Sequence, residues 1–285
     1  MIDSFKQALR GLSVQRGTTL FAICILACGL GLCIAMYGVL DAVLLRQLPY
    51  PHAERIVQVQ ELDADGDALN LTGPNVLDLA RGVERFSAAT WYGGGDVTVT
   101  VPGRVVRAQV TGAGGDFFGV FGVVPLRGRI WSTDEGMQEV VIGHGLWQGL
   151  FAGREDVLGQ TMDIDGERYA VVGVMPPGFS FPQETMVWMP ADSRYIGTSR
   201  SAHNWRMLAL LDDAQGLAVA RAQAGALAER LVAQHGEDMT ARGFDLTPLA
   251  QAMAAPVRRA LQVLGVGVAF LLLIAVSNAM NLLLA

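Results

Sequence analysis

The stretch ALQVLGVGVAFLLLIAVSNAMNLLLA, residues 260–285, holds 26 residues without a charge. A helix of that length spans about 39 Å, more than the roughly 30 Å hydrocarbon core of a bilayer. A second uncharged run of 24 residues occupies 17–40. Buried core helices are the alternative, but they are usually shorter and carry a polar face. The two runs therefore predict two transmembrane helices that flank the rest of the chain.

Polar and small residues interrupt both apolar runs. Asn278 and Asn281 are spaced i, i+3 and share one helix face with Ser277. Polar side chains within a span generally face other helices and form hydrogen bonds there, and Gly29 and Gly31 allow close helix approach. These five residues are the candidate helix-packing positions. We expect further transmembrane helices, or a second copy of the chain, to pack against them within the lipid bilayer.

The distribution of charged residues predicts the membrane topology and excludes one class of partner. Lys6, Arg10 and Arg16 precede the first run, and positive charge is retained on the cytoplasmic side. The N-terminus is therefore expected in the cytoplasm and the central region outside it. Residues 50–255 carry 15 Arg, no Lys and 25 Asp plus Glu, a net charge of −10. Such an acidic region argues against nucleic acid as a partner.

The pattern of elements predicts an α+β fold, anchored in a membrane by two helices around a mixed α/β extracytoplasmic domain with a β-rich inserted subdomain. The predicted segments are a cytoplasmic amphipathic helix at 1–17, the first transmembrane helix and a stalk at 18–48, the exported domain at 49–255 with its β-rich insert at about 95–190, and the second transmembrane helix at 256–285, starting at Pro256.

Alternating and helical periodicities predict individual elements inside the exported domain. The predicted elements are a strand at 55–61, a helix from Gly73-Pro74 to about Arg81, a turn at Gly93-Gly94-Gly95, a hairpin at 96–112, a short helical turn at 115–122, a strand and helix at 139–151, a two-residue hairpin across Asp165-Gly166, a strand at 205–211, a helix at 217–234 and a strand at 244–249.

Motifs for catalysis are missing from the sequence. The only lysine is Lys6, so a phosphate-binding loop of the Gly-x-x-x-x-Gly-Lys-Ser/Thr type has no lysine to use. The four histidines do not form a zinc motif; they are His52, His144, His203 and His235. Neighbouring acidic residues such as Asp212-Asp213 are interpreted as charged side chains exposed to solvent. We therefore expect a protein that is not an enzyme and has no catalytic, cofactor-binding or metal-binding residues.

Several short motifs, taken in order, carry a resemblance to a known family. The motifs are LLRQLPYP (44–51), GDFF (115–118), GVVPLRGR (122–129), GHGLW (143–147), VLGQ (157–160), VGVMPPGF (172–179) and NAMNLLLA (278–285). In this order the chain resembles the FtsX/MacB-type permease subunits of ABC transporters, which carry a MacB-like periplasmic core domain. Gln47, Cys33 and Asp116 depart from the family pattern at positions that affect packing.

The resemblance implies a bacterial inner-membrane permease for export or efflux, or for mechanotransmission to the periplasm. Its partner would be a separate ATP-binding cassette subunit, whose ATP-driven dimerisation moves the spans and, through them, the periplasmic domain. Such permeases have four or more spans, so the chain looks like an N-terminal portion. The resemblance leaves the substrate, the direction of transport and the oligomeric state open.

Two other functions remain as alternatives. A two-span membrane sensor with an extracytoplasmic input domain would have the same two apolar runs, but would continue into a cytoplasmic signalling module. A membrane-anchored hydrolase would need a clustered catalytic set, and no motif in the sequence provides one.

Overall fold

A computed structural model describes residues 16–40, 48–101, 103–132, 138–182, 184–191, 196–197 and 199–284. The chain divides into two compact units, one of Met1–Leu48 with Ala250–Ala285 and the other of Pro49–Leu249. Residues 1–15 of the predicted amphipathic helix and residues 41–47 of the predicted stalk lie outside the described residues.

The first unit contains helix α1 (Arg16–Leu40) and almost all of helix α6 (Leu249–Leu284). The first residue of α6, Leu249, belongs to the second unit. Within the described residues, one helical segment is long and apolar enough to cross a membrane: Ala260–Ser277, with a mean hydropathy of 2.4. By the same criterion α1 contributes only the shorter apolar segment Ala27–Gly38. The first transmembrane helix therefore stays a prediction.

The start of α6 corrects one prediction. We predicted that the second helix starts at Pro256, but α6 begins at Leu249 and Pro256 lies inside it. The intervening residues, LAQAMAA at 249–255, are strong helix formers. They extend the helix on the N-terminal side of the proline, although an internal proline removes one backbone hydrogen bond.

The second unit is built on a mixed sheet whose described strands number eleven. The strands are β1 (Ile56–Leu62), β2 (Ala68–Leu69), β3 (Phe86–Val101), β4 (Arg104–Gly115), β5 (Arg127–Gly128), β6 (Glu139–Ile142), β7 (Thr161–Ile164), β8 (Glu167–Val174), β9 (Thr185–Pro190), β10 (Arg206–Leu211) and β11 (Gly243–Pro248). The helices are α2 (Gly73–Gly82), α3 (Phe117–Phe121), α4 (His144–Leu150) and α5 (Leu217–His235).

The order of strands brings the two ends of this unit together. The sheet runs β11-β1-β10-β3-β4-β9-β6-β8-β5, with β2 beside β1 and β7 beside β3 and β8. The first strand and the last strand are therefore neighbours. They are antiparallel, and Val57 near the start of β1 lies opposite Pro248 at the end of β11. The chain therefore enters and leaves the domain at adjacent positions of one sheet edge.

Buried apolar side chains form separate clusters in the second unit. One cluster takes residues from β1, α2, β10, α5 and β11, including Val57, Leu79 and Leu246. Another takes residues from β3, β4 and β6–β9 with α4, including Val140 and Val171. The second cluster draws on 97–189, within the segment predicted as a β-rich insert, although both clusters belong to one compact unit.

Most predicted elements of the domain are confirmed. The predicted strands and helices match β1, α2, α3, β6, α4, β10, α5 and β11 to within a few residues. The Asp165-Gly166 hairpin is formed by β7 and β8, and both turn residues have positive φ, 51° and 90°, as a two-residue turn of this class requires. The buried face of α5 includes Ala220, Ala224 and Leu227, as its periodicity predicts.

The prediction of a turn at Gly93-Gly94-Gly95 was wrong, because these residues continue β3 and pair with β4 from Gly112 to Val110. Glycine is needed within this strand for a steric reason. A Cβ atom on Gly94 would lie 2.1 Å from the carbonyl oxygen of Val110, so the close approach of the two strands requires glycine there. A Cβ atom on Gly95 would have no heavy atom within 4 Å.

This difference gives a matched pair of substitutions. We expect Gly94→Ala to lower the free energy of unfolding by about 1–3 kcal/mol, since the backbone of β4 must move to admit the methyl group. Gly95→Ala should leave stability unchanged or raise it by up to about 1 kcal/mol, because glycine is unfavourable within a strand. Urea unfolding of both variants, followed by circular dichroism, measures the difference. Equal stabilities would contradict the steric explanation.

Candidate functional site

The residues that lead from the first apolar run into the domain pack into its interior. The Tyr50 ring lies edge-on to Phe121, with 4.9 Å between ring centroids, and to Phe179, at 6.0 Å. Pro51 lies against Gly122, where an added Cβ atom would be 3.2 Å from the proline Cβ. The entry segment is therefore held by direct contacts and is the first part of the candidate site.

Tyr50 belongs to a group of aromatic rings that we call the aromatic cluster. Its members are Tyr50, Tyr92, Phe117, Phe118, Phe121, Phe179, Phe181 and Trp188. Most of the ring pairs are edge-to-face, a geometry that adds about 0.5–1.5 kcal/mol per pair to the effect of burial. Phe121 and Trp188 are fully buried. The cluster is therefore a rigid anchor for the entry segment.

A short helix delivers three of these rings. Asp116 caps α3, and its Oδ1 accepts a hydrogen bond from the backbone N–H of Gly119 at 3.1 Å. Gly122 ends the helix with φ 62°, a left-handed conformation that suits glycine. Aspartate and asparagine are equally good caps at this position, so the departure of Asp116 from the family pattern preserves the cap.

The interior of the cluster is electrostatically neutral. Burial raises the pKa of the Tyr50 phenol above its usual value. Burial also raises the pKa of Tyr92 to about 12, and the nearby positive charge of Arg206 opposes this shift only in part. Both phenols are therefore uncharged over the physiological pH range. The anchor is therefore held by contacts between uncharged rings.

The exit segment is held by a different interaction. The Arg221 guanidinium on α5 donates from Nε and Nη2 to the carbonyl oxygen of Leu246, at 3.0 and 2.7 Å. Leu246 lies on β11, two residues before the strand ends at Pro248. The arginine therefore fixes the last strand to the helix packed beside it. The entry segment and the last strand are therefore both held by contacts with the rest of the domain.

The five predicted helix-packing residues lie in the first unit. A Cβ atom on Gly29 would lie 3.4 Å from Leu272 Cδ1 and 3.6 Å from Ala275 Cβ, so this glycine of α1 faces α6. A Cβ atom on Gly31 would have no neighbour within 4 Å. Ser277 and Asn281 are exposed, and the side chain of Asn278 lies outside the described residues. A packing role for these residues stays a prediction.

A buried polar cluster in the domain corresponds to no motif in the sequence. The Glu61 carboxylate is fully buried, and its Oε1 accepts hydrogen bonds from Thr72 N at 2.8 Å and Asn75 Nδ2 at 2.8 Å. His203 Nδ1 lies 3.1 Å from Glu61 Oε2 and 2.9 Å from the carbonyl oxygen of Asn70. These residues are far apart in the sequence and follow no motif spacing, so only the fold brings them together.

An arginine extends this polar cluster to the surface. Arg200 donates from Nη1 to Asn75 and from Nη2 to Asp78, the latter at 2.7 Å. These contacts join the segment before β10 to the first two turns of α2, while the buried Glu61 Oε2 and His203 Nε2 have no hydrogen-bond partner among the described residues. The cluster therefore has the features of a structural clamp.

Residues 19–234, about three quarters of the chain, match the profile of the MacB-like periplasmic core domain. No curated protein matches the chain.

Solved structures share the fold at low sequence identity. The extracellular domain of the noncanonic ABC-type transporter YknZ from Gram-positive bacteria has a TM-score of 0.51 and 15% identity, over 67% of this chain and 99% of that one. The periplasmic region of MacB from Actinobacillus actinomycetemcomitans has a TM-score of 0.53 and 18% identity, over 72% and 92%. A domain of a putative permease from Porphyromonas gingivalis has a TM-score of 0.56 and 16% identity, over 70% and 93%.

The raised pKa of Tyr92 predicts how stability changes at alkaline pH. An unfolded tyrosine ionises near pH 10, whereas the folded domain holds the proton up to about pH 12. The contribution of Tyr92 is therefore complete below about pH 10 and is lost as the pH rises through about 12. We expect Tyr92→Phe to remove about 2 kcal/mol of the stability that is lost between pH 9 and pH 11.5, measured by urea unfolding at these two pH values. An unchanged pH dependence in the variant would contradict the assignment.

Proposed function

The chain belongs to the family of the MacB-like periplasmic core domain of ABC-type transporter permeases, and we propose that it is a permease subunit that transmits motion from a separate ATPase subunit to its extracytoplasmic domain. The observation that carries the proposal is the adjacent entry and exit of the domain, where Val57 pairs with Pro248. Two membrane helices connected at neighbouring points can move the domain as one body.

The contacts of the entry segment support this mechanical role. A lever transmits displacement only if its end is fixed, and Tyr50 is held by the rings of Phe121 and Phe179. The exit strand is held by Arg221 through the carbonyl oxygen of Leu246. Movement of either connecting segment would therefore be transmitted to the packed interior of the domain. A flexible loop at the same place would absorb it.

The source of energy in this proposal is a partner. Nucleotide-binding loops of the Walker type need a lysine, and the only lysine of this sequence is Lys6. Hydrolysis is therefore assigned to an ATP-binding cassette subunit, and the chain itself acts without catalysis or cofactor. The cargo of the permease decides whether the displacement drives efflux or a signal to periplasmic proteins.

The proposed topology places residues 49–255 outside the cytoplasm and the N-terminus inside it. We expect a cysteine at position 226 on the exposed side of α5 to react with a membrane-impermeant maleimide in intact spheroplasts. A cysteine at position 7 should react only after the membrane is permeabilised. Both variants need Cys24, Cys28 and Cys33 replaced by alanine. The reverse labelling pattern would contradict the proposal.

The coupling itself is tested at Tyr50 in the permease reconstituted in nanodiscs with its ATPase subunit. With a spin label at position 226 in the cysteine-free chain, ATP binding should change the distance between labels on two copies. We expect Tyr50→Ala to abolish this change while ATP binding persists, because the ring contacts are lost. Tyr50→Phe should retain it, since the Tyr50 hydroxyl has no hydrogen-bond partner among the described residues.

A thermal unfolding measurement separates uncoupling from misfolding, and Tyr50→Leu replaces the alanine variant if that variant unfolds early. A full distance change in the folded alanine variant would contradict the role of Tyr50. Failure of the chain to co-purify with any ATP-hydrolysing subunit would contradict the permease itself and favour the two-span sensor.

A further inference from the structure

The domain also contains an open cavity of about 720 Å³, whose wall shares Phe179 with the aromatic cluster. It lies between the start of β4, helix α4 and two short stretches, residues 178–180 and residues 184–186 at the start of β9. Cavities that bind drug-sized molecules measure about 300–1,000 Å³. We call this cavity the arginine pocket, after Arg104 and Arg107 in its wall.

Most of the wall is apolar. Leu146 and Leu150 of α4, Phe179 and Met186 line it, and the Met186 side chain is 42% exposed. Apolar surface left in contact with water is unfavourable by about 25 cal/mol per Å², and a contiguous concave patch of it is typical of a binding site.

Glycine keeps the pocket open. Gly145 and Gly149 lie on the face of α4 that lines the pocket, and a Cβ atom on either would have no heavy atom within 4 Å. Glycine in a helix is unfavourable by about 1 kcal/mol relative to alanine, and no close backbone contact explains it at these two positions. The space beside α4 thus exists because two side chains are missing there.

The charged groups of the pocket favour an anion. Arg104 uses Nη1 to donate to the carbonyl oxygen of Gly149 at 2.7 Å, and its other N–H groups have no partner among the described residues. Among the described residues the one ion-pair partner of Arg107 is Asp96, with Nε 3.7 Å from the carboxylate oxygen. Glu184 and His144 are the other titratable groups in the wall. The wall itself therefore carries two guanidinium groups and one carboxylate, and Asp96, outside the wall, offsets part of the charge of Arg107.

We propose that the arginine pocket binds a small amphiphile that has an apolar chain and a single carboxylate, of the fatty-acid class. The chain would lie along Leu146, Leu150 and Met186, and the carboxylate would accept hydrogen bonds from the free N–H groups of Arg104 or Arg107. Guanidinium and carboxylate groups match in a paired geometry that neutral or cationic amphiphiles cannot adopt. This site does not depend on the permease function, because it lies within the domain alone.

The test uses the full chain in nanodiscs and decanoate that carries a photoreactive diazirine. We expect saturable crosslinks that map to residues 143–150 and 178–186. Unlabelled decanoate should compete, whereas decanol and decyltrimethylammonium should compete at least about tenfold less well, because they lack the carboxylate. Crosslinks confined to α1 and α6 would show partition into lipid only and would overturn the proposal. Equal competition by decanol would overturn the role of the arginines.

Matched variants separate loss of the site from loss of the fold. Gly145→Leu fills the pocket and should lower crosslinking at least about tenfold. The control is Gly225→Leu on α5, where an added Cβ atom also has no neighbour within 4 Å. Arg107→Gln should weaken decanoate binding, and Arg168→Gln, an exposed arginine outside the pocket wall, should not.

Glu184→Gln should have the opposite effect on decanoate binding. It removes the one carboxylate of the wall, so the anion should bind more strongly. Unchanged labelling in Gly145→Leu would overturn the proposal. So would stronger competition by an apolar peptide with a free C-terminal carboxylate than by decanoate, because the pocket would then belong to a protein partner.

Discussion

The antiparallel pairing of β1 with β11 is the constraint on which the organisation of the domain depends. It joins the first strand after the entry segment to the last strand before α6, across almost the whole length of the domain sequence. Strands so distant in sequence pair at a large cost in chain entropy, which burial against α2 and α5 must offset. Because the pairing is antiparallel, the two connections leave at the same edge. A different partner for β11 would separate the two connections.

The aromatic cluster brings together several of the motifs that carry the family resemblance, in a fold shared with solved structures at 15–18% identity. The motifs GDFF, GVVPLRGR and VGVMPPGF, which carry the resemblance, supply rings, a helix cap and a left-handed glycine to one place. Gly122 must leave room for Pro51, and Asp116 must start the turn that points three phenylalanines inward. These requirements depend on the backbone and on ring shape, so few residue types meet them, whereas the sheet faces tolerate many.

Local chemistry decides which parts of this fold could be predicted from the sequence. Asp165-Gly166 and the apolar stripe of α5 specify their conformation through neighbouring residues, and both predictions are confirmed. The glycines of β3 resemble a turn locally, and only the approach of β4 makes Gly94 a strand residue. Glu61 and His203 meet through tertiary structure alone. Similarly, the guanidinium groups of Arg104 and Arg107 and the open wall at Gly145 become a candidate site only when β4 and α4 lie side by side.

Polar residues near the end of α6 indicate what this helix packs against. Within the first unit, Met36 of α1 packs with Leu261 and Val268 of α6, and Gly29 lies close to Leu272 and Ala275. Ser277 and Asn281 remain exposed. In a bilayer an exposed amide has no water to bond, and a hydrogen bond to another helix is worth about 0.6–2 kcal/mol. A pair of helices that covers only one side of α6 is therefore incomplete, and we expect additional spans, from the same permease or a second copy, to accept these side chains.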